Sequence, residues 1–324
     1  MGRGAQPPLL VVMRRILPAL LVFAFAARAD PPLVQDWSTN IETVIVTAHV
    51  PGPPMWRVRK GDSEVVLIGI LQPLPEDLDW NKDGVRGALK GARALLLPPK
   101  ASAGLFDMLW LLAWHSDALY LPSGTTVEST LPADLRARFI AAREKIHGDA
   151  GRYSGLRPPL AALRLEGDVL KAQRLAVDEP AGTLRHLARE TGVPSRFVAD
   201  YEAIPMLRQL PDMPEAANHA CVKAALDDID TVSAHAAAAA KAWASGDLAG
   251  IKANYSEQRF ESCIQSVPSV AALFQRAVND SVSAVDTALA QHGKTVMAAS
   301  IGSLLRQNGI LDRLRAEGAT IEGP

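Results

Sequence analysis

The sequence predicts an α+β fold, with mixed β-sheets formed from the N- and C-terminal parts of the chain and a large helical middle section. Three observations carry this expectation. An apolar run, Val65-Val66-Leu67-Ile68, lies near the start of the chain, and a second, Thr295 to Ala299, lies near its end. Each empties into a turn rich in Gly, Pro or Ser. Between them, up to about Asp286, apolar residues recur mostly at helical spacing.

The first stretch reads as a targeting segment rather than part of the fold. Met13-Arg14-Arg15 is a short basic region, Ile16 to Ala26 is apolar, and Ala27-Arg28-Ala29 is an A-x-A cleavage site before Asp30. That pattern is expected of a secretory signal peptide over residues 1–29, and it is too short for a membrane span. It implies a periplasmic or secreted protein cleaved after Ala29; an uncleaved anchor is the alternative, and Met13 competes with Met1 as the start. Residues 30–54 read as an extended leader and linker. Val44-Ile45-Val46-Thr47 within it is a candidate edge strand, and Pro51-Gly52-Pro53-Pro54 ends it stiffly. Ile41 to Ala48 also resembles the opening of a TonB receptor plug, which would suggest an accessory to an outer-membrane receptor. Residues 55–324 read as the folded domain.

Met55 to Ile70 predicts a β-hairpin turning at Lys60-Gly61-Asp62. Helical patterning over Asp83 to Arg93 leads to Ala94-Leu95-Leu96-Leu97, a run too short for a helix and stopped by Pro98-Pro99. It is expected to be a buried parallel strand, which completes a βαβ unit. Met108 to Ala113 is too short to cross a bilayer and is expected to be a buried helix. Helices are expected from Leu131 to Lys145, Leu160 to Leu170 and Ala181 to Glu190, followed by a short strand, Arg196-Phe197-Val198. Pro214 to Ser245 predicts a long Ala-rich helix, with Val222, Ala225, Leu226, Ile229 and Val232 as its apolar stripe. At the end of the chain come a strand from Gly293 to Ala299, a helix from Ile310 to Ala316 and a last short strand, Ala319-Thr320-Ile321.

Composition narrows the partners. The 34 Lys and Arg residues nearly balance the 35 Asp and Glu residues, so no global field favours nucleic acid or an anionic membrane. The two cysteines, Cys221 and Cys263, form an even pair in a chain expected to be exported, which reads as a disulfide. Neither lies in a C-x-x-C motif. Phosphate-binding loops of the G-x-G-x-x-G or G-x-x-x-x-G-K type are absent, and Ser154-Gly155 and Ser300-Ile301-Gly302-Ser303 do not form a G-x-S-x-G elbow. His186 and Glu190 have i, i+4 spacing, and His235 follows Asp227, Asp228 and Asp230; solvated helix faces account for both.

Several stretches together resemble the TraB/GumN family, which includes Tiki-like metalloproteases. They are Met55-Trp56-Arg57-Val58 with Gly61-Asp62, then Val66-Leu67-Ile68-Gly69 with Pro73-Leu74-Pro75 and Leu78-Asp79-Trp80. At the other end are Gly293-Lys294-Thr295 and Asn308-Gly309-Ile310-Leu311-Asp312-Arg313-Leu314. The resemblance implies a metal site built from two G-x-x-H motifs and a Glu after the second strand. Carried onto this sequence, the His positions fall on Gln72 and Ser303, and the Glu position on Pro98. Of an Arg-Asn pair upstream of the last strand, only Asn279 remains, beside Val278.

A neutral amide, a hydroxyl and a proline do not make a transition-metal site. The expectation is therefore a catalytically inactive pseudoenzyme, with no catalytic residues, no metal and no cofactor. It would keep a cleft for a peptide or for a periplasmic or outer-membrane protein. A hydrolase using other residues in that cleft is the alternative. Asp79, Glu202, Asn279, Trp56 and Trp80 are candidates for the cleft rim, with turn solvation, capping or core packing as their alternative roles.

Overall fold

A computed structural model describes residues 52–324 except 178–179, 256–258 and 266. The expected signal peptide and the Val44–Thr47 strand lie outside the described residues. The strands are β1 (Met55–Lys60), β2 (Ser63–Ile70), β3 (Leu74–Pro75), β4 (Ala92–Leu97), β5 (Lys100–Ser102), β6 (Leu175–Ala176), β7 (Ser195–Phe197), β8 (Asp200–Glu202), β9 (Gly293–Ser300) and β10 (Thr320–Glu322). The main sheet has the order β10-β1-β2-β9-β4-β7, and two-stranded sheets pair β3 with β6 and β5 with β8. The α+β expectation holds.

The hairpin of β1 and β2 is antiparallel, from Met55 opposite Ile68 to Lys60 opposite Ser63. On its other edge β2 runs parallel to β9 over its whole length, from Ser63 opposite Gly293 to Ile70 opposite Ser300. β9 then runs parallel to β4, and β4 to β7. The sequence-predicted βαβ unit therefore forms with the C-terminal strand inserted in its middle. β2 and β9 are almost wholly buried because both faces of the sheet are covered, which is why they read as unbroken apolar runs. The helix expected to reach Arg93 stops at Leu89, and β4 starts at Ala92 rather than Ala94. Gly91, at φ +73°, makes the turn between them that a side chain would resist.

Two apolar cores result. One surrounds the main sheet and includes Val85 and Leu89, Leu184 and Leu187, Val282 and Val285, and Ile301 to Leu314. The other is purely helical and includes Leu135, Phe139, Leu165, Val169, Val222, Leu226 and Phe260. The long helix, Glu215–Ser245, serves both: Cys221 to Ile229 pack into the helical core, and Ala239 to Trp243 into the sheet core. Trp243 then donates its indole N–H to the Gly69 carbonyl at 2.8 Å, within the core, and meets Trp80 edge to face at 5.2 Å.

Cys221 and Cys263 are joined in a disulfide with a Cα–Cα distance of 5.2 Å. It ties the long helix to the short helix Arg259–Ile264. In the chain-entropy picture a loop of this size is worth roughly 3–4 kcal/mol. Asp228 reinforces the same junction, accepting the backbone N–H groups of Arg259 at 2.9 Å and Phe260 at 2.8 Å. Glu166, only 4% exposed, lies near it. Burial and then the charge of Asp228 push the Glu166 carboxyl up to about 8. Burial raises Asp228 to about 6, against the pull of its two backbone donors.

One sequence expectation is overturned. Met108–Ala113 belongs to a helix, Leu105–Trp114, of which Leu111 is buried while Leu105, Phe106, Leu109, Trp110, Leu112 and Trp114 are exposed. Hydrophobicity alone suggested burial. β5, however, pairs with β8 outside the main sheet, and the helix that follows lies outside both cores, with Ile204–Leu207 and Ser116–Ala118 among its neighbours.

Two predictions follow from this packing. A Cβ on Gly69 would stand 2.5 Å from Ile301 Cδ1 and 3.0 Å from Trp56 Cζ3, both in the core. Gly69→Ala should therefore cost about 1–3 kcal/mol in denaturant unfolding, as overpacked cores do; an unchanged midpoint would mean that the site is looser than the structure has it. The second concerns pH. Glu166 in the folded chain keeps its proton up to about 8, whereas unfolded it releases it near 4.5. Its contribution is full below the unfolded value and is lost as pH rises between the two. Stability should fall from pH 5 to pH 8, and Glu166→Gln should remove most of that slope. Equal slopes in the two proteins would contradict the assignment.

Candidate functional site

The three positions singled out in the sequence emerge at one end of the main sheet. β2, β9 and β4 are adjacent and parallel, so Gln72, Ser303 and Pro98 each follow the C-terminal end of a neighbouring strand. Adjacent strands lie about 4.8 Å apart, so the two outer strand ends are only about 10 Å from each other. In open sheets with parallel strands this is the end where ligands bind, because the loops leaving the strands are free to present side chains there.

Gln72 is half-buried, and its amide N–H₂ donates to the Val177 carbonyl. The pairing of β3 with β6, Leu74 opposite Ala176 and Pro75 opposite Leu175, brings those distant segments together. The Gln72–Pro73 peptide is cis. On the second strand, Ser300 caps the short helix Ile301–Leu305. Its hydroxyl accepts the Ser303 N–H at 3.0 Å and donates to Ser303 Oγ at 2.8 Å. The Ser303 hydroxyl is thus held by another hydroxyl rather than by an imidazole or a carboxylate, the partners that would activate it.

Pro98 and Pro99 bend the third strand. The Val198 N–H bonds to Leu97 and the Lys100 N–H to Ala199, so the ribbon of β4 and β7 continues as β5 and β8 beyond the prolines. Neither proline has an N–H to give, which explains the break in the ladder between them.

The rim candidates separate. Asp79 is exposed in the loop that follows β3. Asn279, also exposed, accepts a hydrogen bond from the Arg313 guanidinium, which links the helix Pro268–Leu289 to the helix Ile310–Ala316. Glu202 lies opposite Ser102 on the outer ribbon, four residues beyond the level of Pro98 and thus roughly 13 Å along the strand. Trp56 is 2% exposed and Trp80 is buried against Trp243, so both are core residues rather than rim residues.

Groups that the sequence did not single out stand near the same ribbon. Tyr201 on β8 donates its hydroxyl to Asp280 at 2.8 Å, and Arg276 lies over the Tyr201 ring at 5.3 Å and 3.5 Å from Asp280. Burial and the Asp280 carboxylate both raise the Tyr201 phenol, keeping it protonated. No sequence motif marks this trio, because its members are joined only by tertiary packing. His186 and Glu190 pair at 3.0 Å on an exposed helix face, as a solvated pair would.

The donor chemistry at the strand ends does not suit a divalent transition metal. Gln72 directs its N–H₂ at a carbonyl, Ser303 presents a neutral hydroxyl already engaged by Ser300, and Pro98 has no donor atom in its side chain. Among the described residues no group of three or more His, Cys, Asp or Glu side chains is placed to hold a metal ion, and no helix is long and apolar enough to cross a membrane.

Comparison with known proteins gives a single kind of match. The profile of the TraB/PrgY/gumN family aligns with residues 54–323, whereas no curated protein and no solved structure matches the chain. The matched span runs from the residue before β1 to the residue after β10, so it takes in every strand of the main sheet together with the helices between them. The chain belongs to the TraB/PrgY/gumN family.

Proposed function

We propose that this protein is an exported, non-catalytic member of its family that uses the strand ends of β2, β9 and β4 to bind a peptide or a protein partner. One observation carries the reading. The three positions that the family resemblance assigns to metal ligands emerge from adjacent parallel strands, yet they hold an amide turned to a carbonyl, a proline and a hydroxyl paired with a second hydroxyl. A site of that composition can offer hydrogen bonds to a polar ligand, but it cannot lower the pKa of a bound water or polarise a carbonyl as a divalent ion does. Export rests on the basic and apolar pattern of residues 13–29.

The competing reading, a hydrolase working with other residues at the same strand ends, requires an activated nucleophile. Ser303 is the available hydroxyl, and its partner is Ser300. Elemental analysis of the purified protein, before and after incubation with Zn²⁺, Mn²⁺ and Co²⁺ followed by dialysis, is the test. The expected outcome is no stoichiometric metal under either condition. A transition metal held at one per chain would sink the pseudoenzyme reading.

A further inference from the structure

The Leu105–Trp114 helix is apolar around most of its circumference and yet lies outside both cores. Phe106 is 85% exposed, and Leu105 and Trp114 are each 72% exposed. At about 150–250 Å² for a large apolar side chain, its six exposed residues present roughly 600–900 Å² of surface. The largest apolar patch on an ordinary monomer is about 300–600 Å², and one side of a standard protein interface is about 800 Å². The patch is therefore large enough to form one half of a stable pairing.

The same patch carries both projections and a hollow. Ile204, Pro205, Arg208 and Gln209 border an open surface hollow, and the Arg208 guanidinium lies over the Trp110 ring at 5.6 Å, which sets the hollow against the helix. Phe106 and Trp114 project from that helix. A surface with knob and hollow side by side is what a two-fold contact uses, since the operator brings each copy's knob to the other's hollow. A helix apolar on nearly every side also needs cover on nearly every side. Its own Ile204–Leu207 covers one side, and a mate's helix would cover another.

A lipid surface suits the helix less well. Interfacial helices carry Lys and Arg on a polar face, whereas the only charged side chain within this helix is Asp107, which accepts the Gly104 N–H at 3.2 Å at the helix's own start, and a neighbouring cation, Arg208, lies over the Trp110 ring. We propose that the Leu105–Trp114 helix, with the adjoining Ile204–Gln209 hollow, is a two-fold interface through which the protein pairs with a second copy of itself.

Sedimentation of the protein as its host processes it, over a micromolar concentration series, tests this. The parent protein should sediment at twice the mass of one chain, and Phe106→Glu with Trp114→Glu at the mass of one chain, with an unchanged circular dichroism spectrum. Leu163→Glu, at an exposed position on the Pro158–Ala172 helix, should remain dimeric. Should the double variant misfold, Phe106→Ser alone should weaken pairing at least tenfold. A parent protein that stays monomeric, or a dimer that survives Phe106→Ser and the double variant, would overturn the proposal. So would a monomer that co-sediments with phosphatidylglycerol vesicles through this helix, which would assign the patch to a membrane.

Discussion

The parallel pairing of β2 with β9 is the constraint on which the rest of the structure depends. Parallel strands cannot be joined by a tight turn, so a long connection runs from Ile70 to Gly293, and it holds the helical middle together with β4 and β7 of the same sheet. The register, Ser63 opposite Gly293 through Ile70 opposite Ser300, brings two distant segments of sequence to one end of the sheet. β4 on the far side of β9 adds the third strand end. A slip of one residue would turn every side chain of β9 to the opposite face, out of the packing that buries Val296 to Ala299.

The long helix of this connection is tied to the sheet by a buried hydrogen bond. Trp243, near the end of a helix about 46 Å long by its rise per residue, donates to the carbonyl of Gly69, next to the last residue of β2. Gly69 has to lack a side chain because Trp56 and Ile301 close over it. The far half of the same helix holds the disulfide and the buried Asp228 with its two backbone donors. One element therefore couples the strand ends to the helical core, and stability in that core bears on the placement of Gln72.

Much of this was legible in the sequence, and the failures have a common physical origin. Val65–Ile68 and Thr295–Ala299 read as strands from their apolar runs, and Ala94–Leu97 as a buried parallel strand, because central parallel strands are apolar on both faces; that β2 and β9 pair in parallel was not read. Cys221 and Cys263 read as a pair from their number and the expectation of export. What could not be read is what tertiary contact alone decides. The partner of Gln72 is the Val177 carbonyl, supplied by pairing between two strands of two residues each, too short to leave a periodic signal. Trp56 and Trp80 flank the site motifs in sequence but point into the core. The Leu105–Trp114 helix read as buried because hydrophobicity reports the need for a covering surface, not its presence among the described residues.

The central claim is that three strand ends converge on one site and that their side chains, not their positions, differ from those of a metal centre. Restoring the donors tests both halves at once. The triple variant Gln72→His, Pro98→Glu, Ser303→His should bind one Zn²⁺ per chain in calorimetry, and the parent protein none. Zinc binding by the parent chain, or by neither protein with the variant still folded, would contradict the account.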